Sequence, residues 1–284
     1  MATPLSCAAS TPSRPSIGLS ARRARRVVLV KRQFSLRYGG GERYSVNLAR
    51  ALAESGYDVT VVGTLIDDEL KSEVKFIPVR CQRHGVRARV MSFAKNAAAA
   101  VREIKADAVI GLCLTPEADV LRVTSRIHPH WMRIRYSSQW RYALENFNPR
   151  HRALLDLERA ALVESRRVQA YVVQSQLDRK LLSAYYMTPP DRIHVVRNGV
   201  DSETFHPRLR KEGRLRKELL GSVRGPLVVF AANRDFRGKG LATLLEGFAA
   251  SESSNAQLAV LGGDCSHRYR RMARRLGLED RVHF

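Results

Sequence analysis

The sequence predicts an α/β protein of two parallel-sheet domains, the second incomplete, and three observations carry that prediction. Short apolar runs alternate along the chain with amphipathic stretches of helical period. The alternation breaks once, in a charged stretch at residues 206–225, and then resumes. In both halves a glycine-bearing turn joins a strand end to a helix start, at Gly39-Gly40-Gly41 and at Gly238-Lys239-Gly240. Parallel strands need a crossover connection, and helices in that role cover both faces of the sheet.

Residues 1–26, MATPLSCAASTPSRPSIGLSARRARR, carry five arginines and no acid. Such a stretch cannot bury enough apolar surface to order itself, and it lacks the apolar core of a secretory signal. It is expected to be a disordered basic arm; a transit peptide or a misplaced start codon would give the same composition. The first domain is expected over 27–205. VVLV (27–30) reads as a buried strand, GGGERYSVNLARALAESG (39–56) as a helix with Val46, Leu48, Ala49, Leu52 and Ala53 on one face, and YDVTVVG (57–63) as the next strand. VKFIPV (74–79), DAVIGLCL (107–114), AYVVQS (170–175) and IHVVRNGVD (193–201) read as further strands, with a helix over 93–106. After the connection at 206–225, the second domain (226–284) offers the strand LVVFAAN, a helix from Leu241, the strand QLAVLGG (257–263), a helix over 267–278 and RVHF. A sheet this small would leave an edge strand and apolar surface uncovered, so the sequence is expected to be a fragment of a longer protein or a truncated gene product.

The 284 residues include 49 Lys and Arg against 27 Asp and Glu, a formal charge of +22. That balance predicts attraction to polyanions: nucleic acid, anionic lipid or phosphorylated substrates. No apolar run approaches the ~20 residues that span a bilayer. The chain is therefore expected in the cytoplasm, at most peripheral at the inner face of the membrane. Cys7, Cys81, Cys113 and Cys265 form no C-x-x-C pair, which gives neither a disulfide framework nor a metal site.

Two loops carry the chemistry. Gly39-Gly40-Gly41 lets a ligand approach the backbone at a helix start, where free N–H groups favour an anion. It is not a dinucleotide fingerprint: Tyr44 occupies the place of the last glycine, and no acid ends strand 57–63. A structural turn is the plain alternative. In NRDFRGKGLATLLEGFA (233–249), Leu241, Leu244, Leu245 and Phe248 fall at i, i+3, i+4 and i+7 and set the core face of a helix. The loop Asn233–Gly240 therefore lies at the carboxyl end of a parallel strand. Arg234 and Lys239 are placed to contact a diphosphate, unless the loop is simply solvated.

These segments resemble the retaining glycosyltransferases of family 4, which have the GT-B fold of two Rossmann-like domains. The resemblance rests on GGGERYSVNLARALAESGYDVTVVG, on VVQSQLDRKLLSAYYMTPPDRIHVVRNGVDSETFHP and on the loop with QLAVLGGD, from about residue 27 to the end. ENFNPRHRALLDLERA (145–160) is similar to the branch that includes lipopolysaccharide core glucosyltransferases. The resemblance implies transfer of a sugar from a nucleotide-sugar donor to a glycan or glycolipid acceptor, with retention and without a metal or other cofactor. Arg234 and Lys239 would hold the donor diphosphate and stabilise the departing charge. Gly40 and Gly41 would line the cleft near the donor phosphate. Many members carry F-x-[RK]-K-G; here Gly238 precedes Lys239, which makes Arg237 a further candidate for the donor.

His128 resembles a histidine near the acceptor site and is the candidate catalytic residue; on its own terms, a histidine beside Pro129 and Trp131 packs or sits at the surface. Asp119 matches an acidic position of the branch and is a candidate on the acceptor side, although it could equally open a helix through Val120, Leu121 and Val123. The family's paired glutamates, separated by seven residues, have no counterpart here. Residues 122–152 hold seven arginines and three histidines among Trp131, Tyr136, Trp140, Tyr142 and Phe147. That mixture suits an anionic membrane surface or single-stranded nucleic acid, or a solvated face with buried rings. The rivals to a transferase are a nucleic-acid-binding protein, against which the lack of any recognised nucleic-acid module counts, and a non-catalytic remnant that binds acceptor alone.

Overall fold

The structure, a computed structural model, describes residues 25–123, 127–209, 213, 216–218, 225–233, 235–263 and 266–284. Most of the expected N-terminal arm and much of the expected connection at 206–225 lie outside the described residues. The chain parts into two compact units between Asn198 and Gly199.

The first unit holds seven principal strands: β1 (Arg26–Val30), β3 (Asp58–Gly63), β5 (Lys75–Pro78), β6 (Ala108–Gly111), β7 (Val120–Arg122), β8 (Ala170–Val173) and β9 (Ile193–Val195). Two short strands, β2 (Gln33–Phe34) and β4 (Leu65–Ile66), pair separately. The main sheet runs β5-β3-β1-β6-β7-β8-β9, and every pairing in it is parallel. Val27, Val28, Leu29 and Val30 are each at most 4% exposed, as a strand covered on both faces must be. Side chains alternate across a strand. Val27 and Leu29 accordingly pack with Val46 and Ala49 of helix α1 (Gly40–Glu54), while Val28 and Val30 pack with Phe93, Ala97 and Val101 of α2 (Val86–Arg102).

The basic segment after β7 forms three helices, α3 (His128–Arg135), α4 (Gln139–Glu145) and α5 (Pro149–Arg159), and α5 runs into a π-helical turn at Ala160–Glu164. Helix α6 (Gln176–Tyr186) then covers β8 and β9 through Leu182.

Two expectations need correction. Helix α2 begins at Val86, seven residues before the expected Phe93: its first two turns carry Arg87 and Arg89 and bury no residue, so only Val86 and Val90 extend the apolar stripe back from Phe93. The helix that Asp119 could have opened does not form: Val120–Arg122 is strand β7, paired through Ile110↔Val120 on one side and Arg122↔Val172 on the other. Three residues are too few to display a period, so sheet pairing decides there.

In the second unit β10 (Leu227–Ala231), β11 (Gln257–Leu261) and β12 (Val282–His283) form a parallel sheet in chain order. Helices α7 (Leu241–Ala249) and α8 (Ser266–Arg275) pack on it. Leu241, Leu245 and Phe248 of α7 join Phe236, Leu258, Val260 and Tyr269 in one core, so the stripe read from the sequence is the buried face.

Candidate active site

The order of the main sheet changes direction between β1 and β6: the chain builds β3 and β5 on one side, then returns to build β6 to β9 on the other. Open parallel sheets place ligands at such a switch, beyond the carboxyl ends of the strands. Lys31 and Arg32 leave β1 there, Leu112 and Cys113 leave β6, and Arg122 ends β7. Helix α1 starts beside them at Gly40, with no side chain capping it. A β-carbon added at Gly40 would meet nothing within 4 Å, and one at Gly41 would meet only Lys31 Nζ, at 3.4 Å. Packing within the unit therefore does not demand glycine at position 40; the space before the helix end is open to a ligand. Lys31 is 8% exposed, and its Nζ lies 3.4 Å from Glu42 Oε1. The Cys113 thiol is pushed up to about 11 by burial, against the pull of Lys31, and stays protonated at neutral pH.

His128 opens α3 and sits in a ring cluster. Its Nε2 lies 3.0 Å from His151 Nδ1, and its ring stacks on Trp131 at 5.6 Å between centroids. The far nitrogen of His151 faces the Tyr136 hydroxyl at 3.2 Å and Glu145 at 3.5 Å. The His128 backbone N–H donates to both oxygens of Glu158, each at 3.0 Å, and the Tyr186 hydroxyl donates to one of them at 2.5 Å. Burial, with the neighbouring His151 and Arg150, lowers His128 to about 4. It is therefore a neutral imidazole at neutral pH, able to exchange hydrogen bonds with a hydroxyl. Burial also lowers His151, with Glu145 pulling the other way. Burial raises Glu158 to about 7, against the hydrogen bonds from Tyr186 and His128. His128, Trp131, Arg150, His151 and Glu158 line a cavity of about 320 Å³.

The second unit carries the other glycine loop. Phe236 is buried at 1% exposure and pins the loop to the core, while Arg237 and Lys239 stand exposed on either side of Gly238. Arg234, the other expected donor cation, lies outside the described residues. Asp235 (φ +62°) and Gly240 (φ +84°) adopt the left-handed backbone that turns the chain into α7. The Asp235 carboxylate accepts the Gly238 N–H at 2.9 Å, and a β-carbon at 238 would collide with that carboxylate.

Asp119 stands at the amino end of β7, the edge of the sheet away from the glycine turn. Its carboxylate accepts the Val109 N–H at 2.7 Å and meets Arg167 Nε at 2.9 Å, which ties β6, β7 and the turn before β8 together. The structure thus groups Gly40, Gly41 and His128 at the carboxyl edge of the first unit, puts Lys239 and Arg237 on the loop of the second, and leaves Asp119 apart from both. Sequence reasoning missed Lys31, His151 and Glu158. Arg122 was counted into the basic segment but is buried at 4% exposure; a charge closing an apolar strand was the signal.

Two parallel-sheet units, each with a glycine loop at strand carboxyl ends, give the paired Rossmann-like architecture of the GT-B fold. The chain belongs to Glycosyltransferase Family 4, whose profile matches residues 38–204. Over 256 residues it is 22% identical to the lipopolysaccharide glucosyltransferase WaaG of Escherichia coli (strain K12), covering 87% of this chain and 66% of WaaG. It thus spans just under two thirds of that relative's length. The crystal structure of WaaG, a glycosyltransferase involved in lipopolysaccharide biosynthesis, matches with a TM-score of 0.76 at 20% identity, over 91% of this chain and 69% of that one. A glycosyltransferase from Rickettsia africae gives 0.60 at 16% identity, over 92% and 68%. Anabaena HepE in complex with UDP gives 0.58 at 14%, over 92% and 68%. At these identities the structures establish the fold. The family match includes Gly40, Gly41, Asp119, Arg122 and His128, and Lys239 lies beyond it.

Proposed function

We propose that this chain is a glycosyltransferase that moves a hexose from a nucleotide-sugar donor to a glycan or glycolipid acceptor of lipopolysaccharide type, with retention of configuration. Family membership is the observation that carries this reading. HepE has been crystallised with UDP and with UDP-glucose, which favours a uridine donor here. In this reading Lys239, with Arg234 and Arg237, grips the donor diphosphate and neutralises the charge that grows on it as the glycosidic bond breaks. Those cations do the work a divalent ion would otherwise do, so transfer is metal-independent. Gly40 and Gly41 leave room for the phosphate at the amino end of α1, where the peptide dipoles favour negative charge. Neutral His128 hydrogen-bonds a sugar hydroxyl at the reacting end.

Work at a lipid surface is part of the proposal. No helix among the described residues is long and apolar enough to cross a membrane. Arg133 and Arg135 of α3 and Arg141 of α4, with exposed Ile134, Trp140, Leu144 and, just past α4, Phe147, suit peripheral attachment to an anionic cytoplasmic leaflet.

The test is thermal protection of the chain by UDP and UDP-glucose. Protection is expected in the unsubstituted chain with or without EDTA. Lys239→Ala is expected to weaken it by about tenfold, the scale of one charged hydrogen bond. Gly40→Ala should weaken it while leaving the melting temperature without ligand unchanged or slightly higher. Full protection in both variants would remove the basis for the donor site.

A further inference from the structure

Among the described residues two cations are buried, Lys31 and Arg122. Lys31 has Glu42 as a partner, whereas Arg122 meets no carboxylate within ion-pair distance among those residues. The Arg122 guanidinium is nevertheless held firmly. One face lies 3.5 Å from the centroid of the Tyr44 ring, and Nη2 donates to Asn198 Oδ1 at 2.7 Å. Asn198 is fixed in turn by Gln174 at 3.0 Å. The Nε–H has no hydrogen-bond partner although the side chain is buried. A buried charge without a counter-charge is costly, and an unmade hydrogen bond on it adds to the cost. An anionic ligand that meets the charge and accepts from Nε would offset both costs.

Arg122 lines a cavity of about 220 Å³. Arg32 is the other charged residue in its wall, and the remainder is apolar or the neutral thiol of Cys113, with Val90 and Phe93 from α2 and Leu154 and Leu157 from α5. Two positive charges facing an apolar chamber, with no acid in the lining, make a seat for an anion. The cavity shares Leu114 and Leu154 as walls with the larger cavity that holds His128. None of Gly39, Gly40 and Gly41 lines either cavity, so the seat neighbours the glycine turn assigned to the donor, through Tyr44, without including it.

We infer that Arg122 and Arg32 form an anion subsite for the acceptor, which makes the acceptor a sugar carrying a phosphate monoester or carboxylate close to the hydroxyl that reacts. The anionic group sits against the Arg122 Nε–H, and the attached sugar extends past Leu114 and Leu154 towards His128. This inference deepens the transferase reading and rests on it. The donor also carries phosphate, so the two sources must be separated by experiment.

The probes are inorganic phosphate, glucose 6-phosphate, glucose and UDP, added to the ¹⁵N-labelled 284-residue chain. The observable is the Nε–H resonance of Arg122, assigned through its loss in Arg122→Lys. Glucose 6-phosphate and phosphate are expected to shift this resonance, and glucose and UDP to leave it in place. By calorimetry Arg122→Lys and Arg32→Gln should each weaken glucose 6-phosphate by about tenfold, with UDP affinity unchanged. Arg32 is only partly buried, so Arg32→Gln keeps the test valid should substitution of Arg122 unfold the chain. Glucose 6-phosphate binding no better than glucose, or binding equally well to the Arg32 variant, would overturn the subsite. A shift of the Arg122 resonance by UDP, with competition from glucose 6-phosphate, would assign the anion to the donor and overturn the acceptor inference. If UDP binds nowhere while glucose 6-phosphate still shifts Arg122, the transferase reading fails and the anion seat stands.

Discussion

Glu158 is 2% exposed, receives the His128 backbone N–H and the Tyr186 hydroxyl, and so anchors the start of α3. Its carboxyl is raised to about 7 by burial, so the folded state holds that proton more tightly than the unfolded state does. The stability this proton contributes is complete below the unfolded value and is lost as pH rises through 7. His128 runs the other way: lowered to about 4, it contributes stability that is present above about 6.5 and is lost as pH falls through 4. The two oppose each other in mildly acidic solution, and above pH 6.5 the change due to Glu158 remains. Urea midpoints at pH 6.5 and 8 are therefore expected to show a loss of about 1 kcal/mol in the unsubstituted chain and little loss in Glu158→Gln. Parallel curves for the two proteins would refute the assignment. His128 was visible in the sequence as a residue type in a basic aromatic stretch. Its bond to His151, 23 positions on, was not, because α5 must fold back before those rings can meet.

Among the elements, those buried on both faces were the easiest to read. The runs 27–30 and 58–63 stand out because burial on both faces leaves almost no position neutral, and the stripe on α1 because its Val46, Leu48, Ala49 and Leu52 face the sheet while Ala53, expected with them, is exposed. Strand β6 was read too long, to Leu114. It ends at Gly111, where a β-carbon would crowd Thr115, Leu121 and Ala118, and Cys113 and Leu114 that follow are apolar because they line a cavity. Strand β7 was missed for want of length, and Asp119 explains how so short a strand holds. Asp119→Ala leaves the Val109 N–H and Arg167 without their partner. It should cost about 1–3 kcal/mol by chemical denaturation, whereas Gln at Arg167 should cost less, since that side chain is partly solvated. Equal, small losses would mean that Asp119 is not a tie between strands.

For the molecule as a whole, the charge of +22 is not spread evenly with respect to apolar surface. Helix α4 buries none of its residues; Trp140 is 66% exposed and Phe147, just past it, 75%, with Arg133, Arg135 and Arg141 exposed nearby. Rings that insert at the interface beside cations that meet lipid phosphate combine two attractions, each basic residue adding roughly 1 kcal/mol. The chain is expected to sediment with vesicles containing phosphatidylglycerol and to remain free of phosphatidylcholine vesicles. Trp140→Ser with Phe147→Ser should lower that binding by about tenfold, and raised salt should weaken it further. Binding that is unchanged in the double variant would rule the patch out as the lipid contact.

By itself the sequence determined the two parallel-sheet halves, the glycine turns at their strand ends and the family, because periodicity, glycine spacing and short motifs are local and survive without coordinates. Only the tertiary structure decided which charges are buried and what they face. Arg122 is written among seven arginines of one basic stretch, yet sheet order and the return of α5 enclose it with Tyr44 and Asn198, side chains 78 and 76 positions away in the chain. Desolvation and pairing belong to the surroundings a side chain acquires on folding, and no residue carries those surroundings in its own position along the chain.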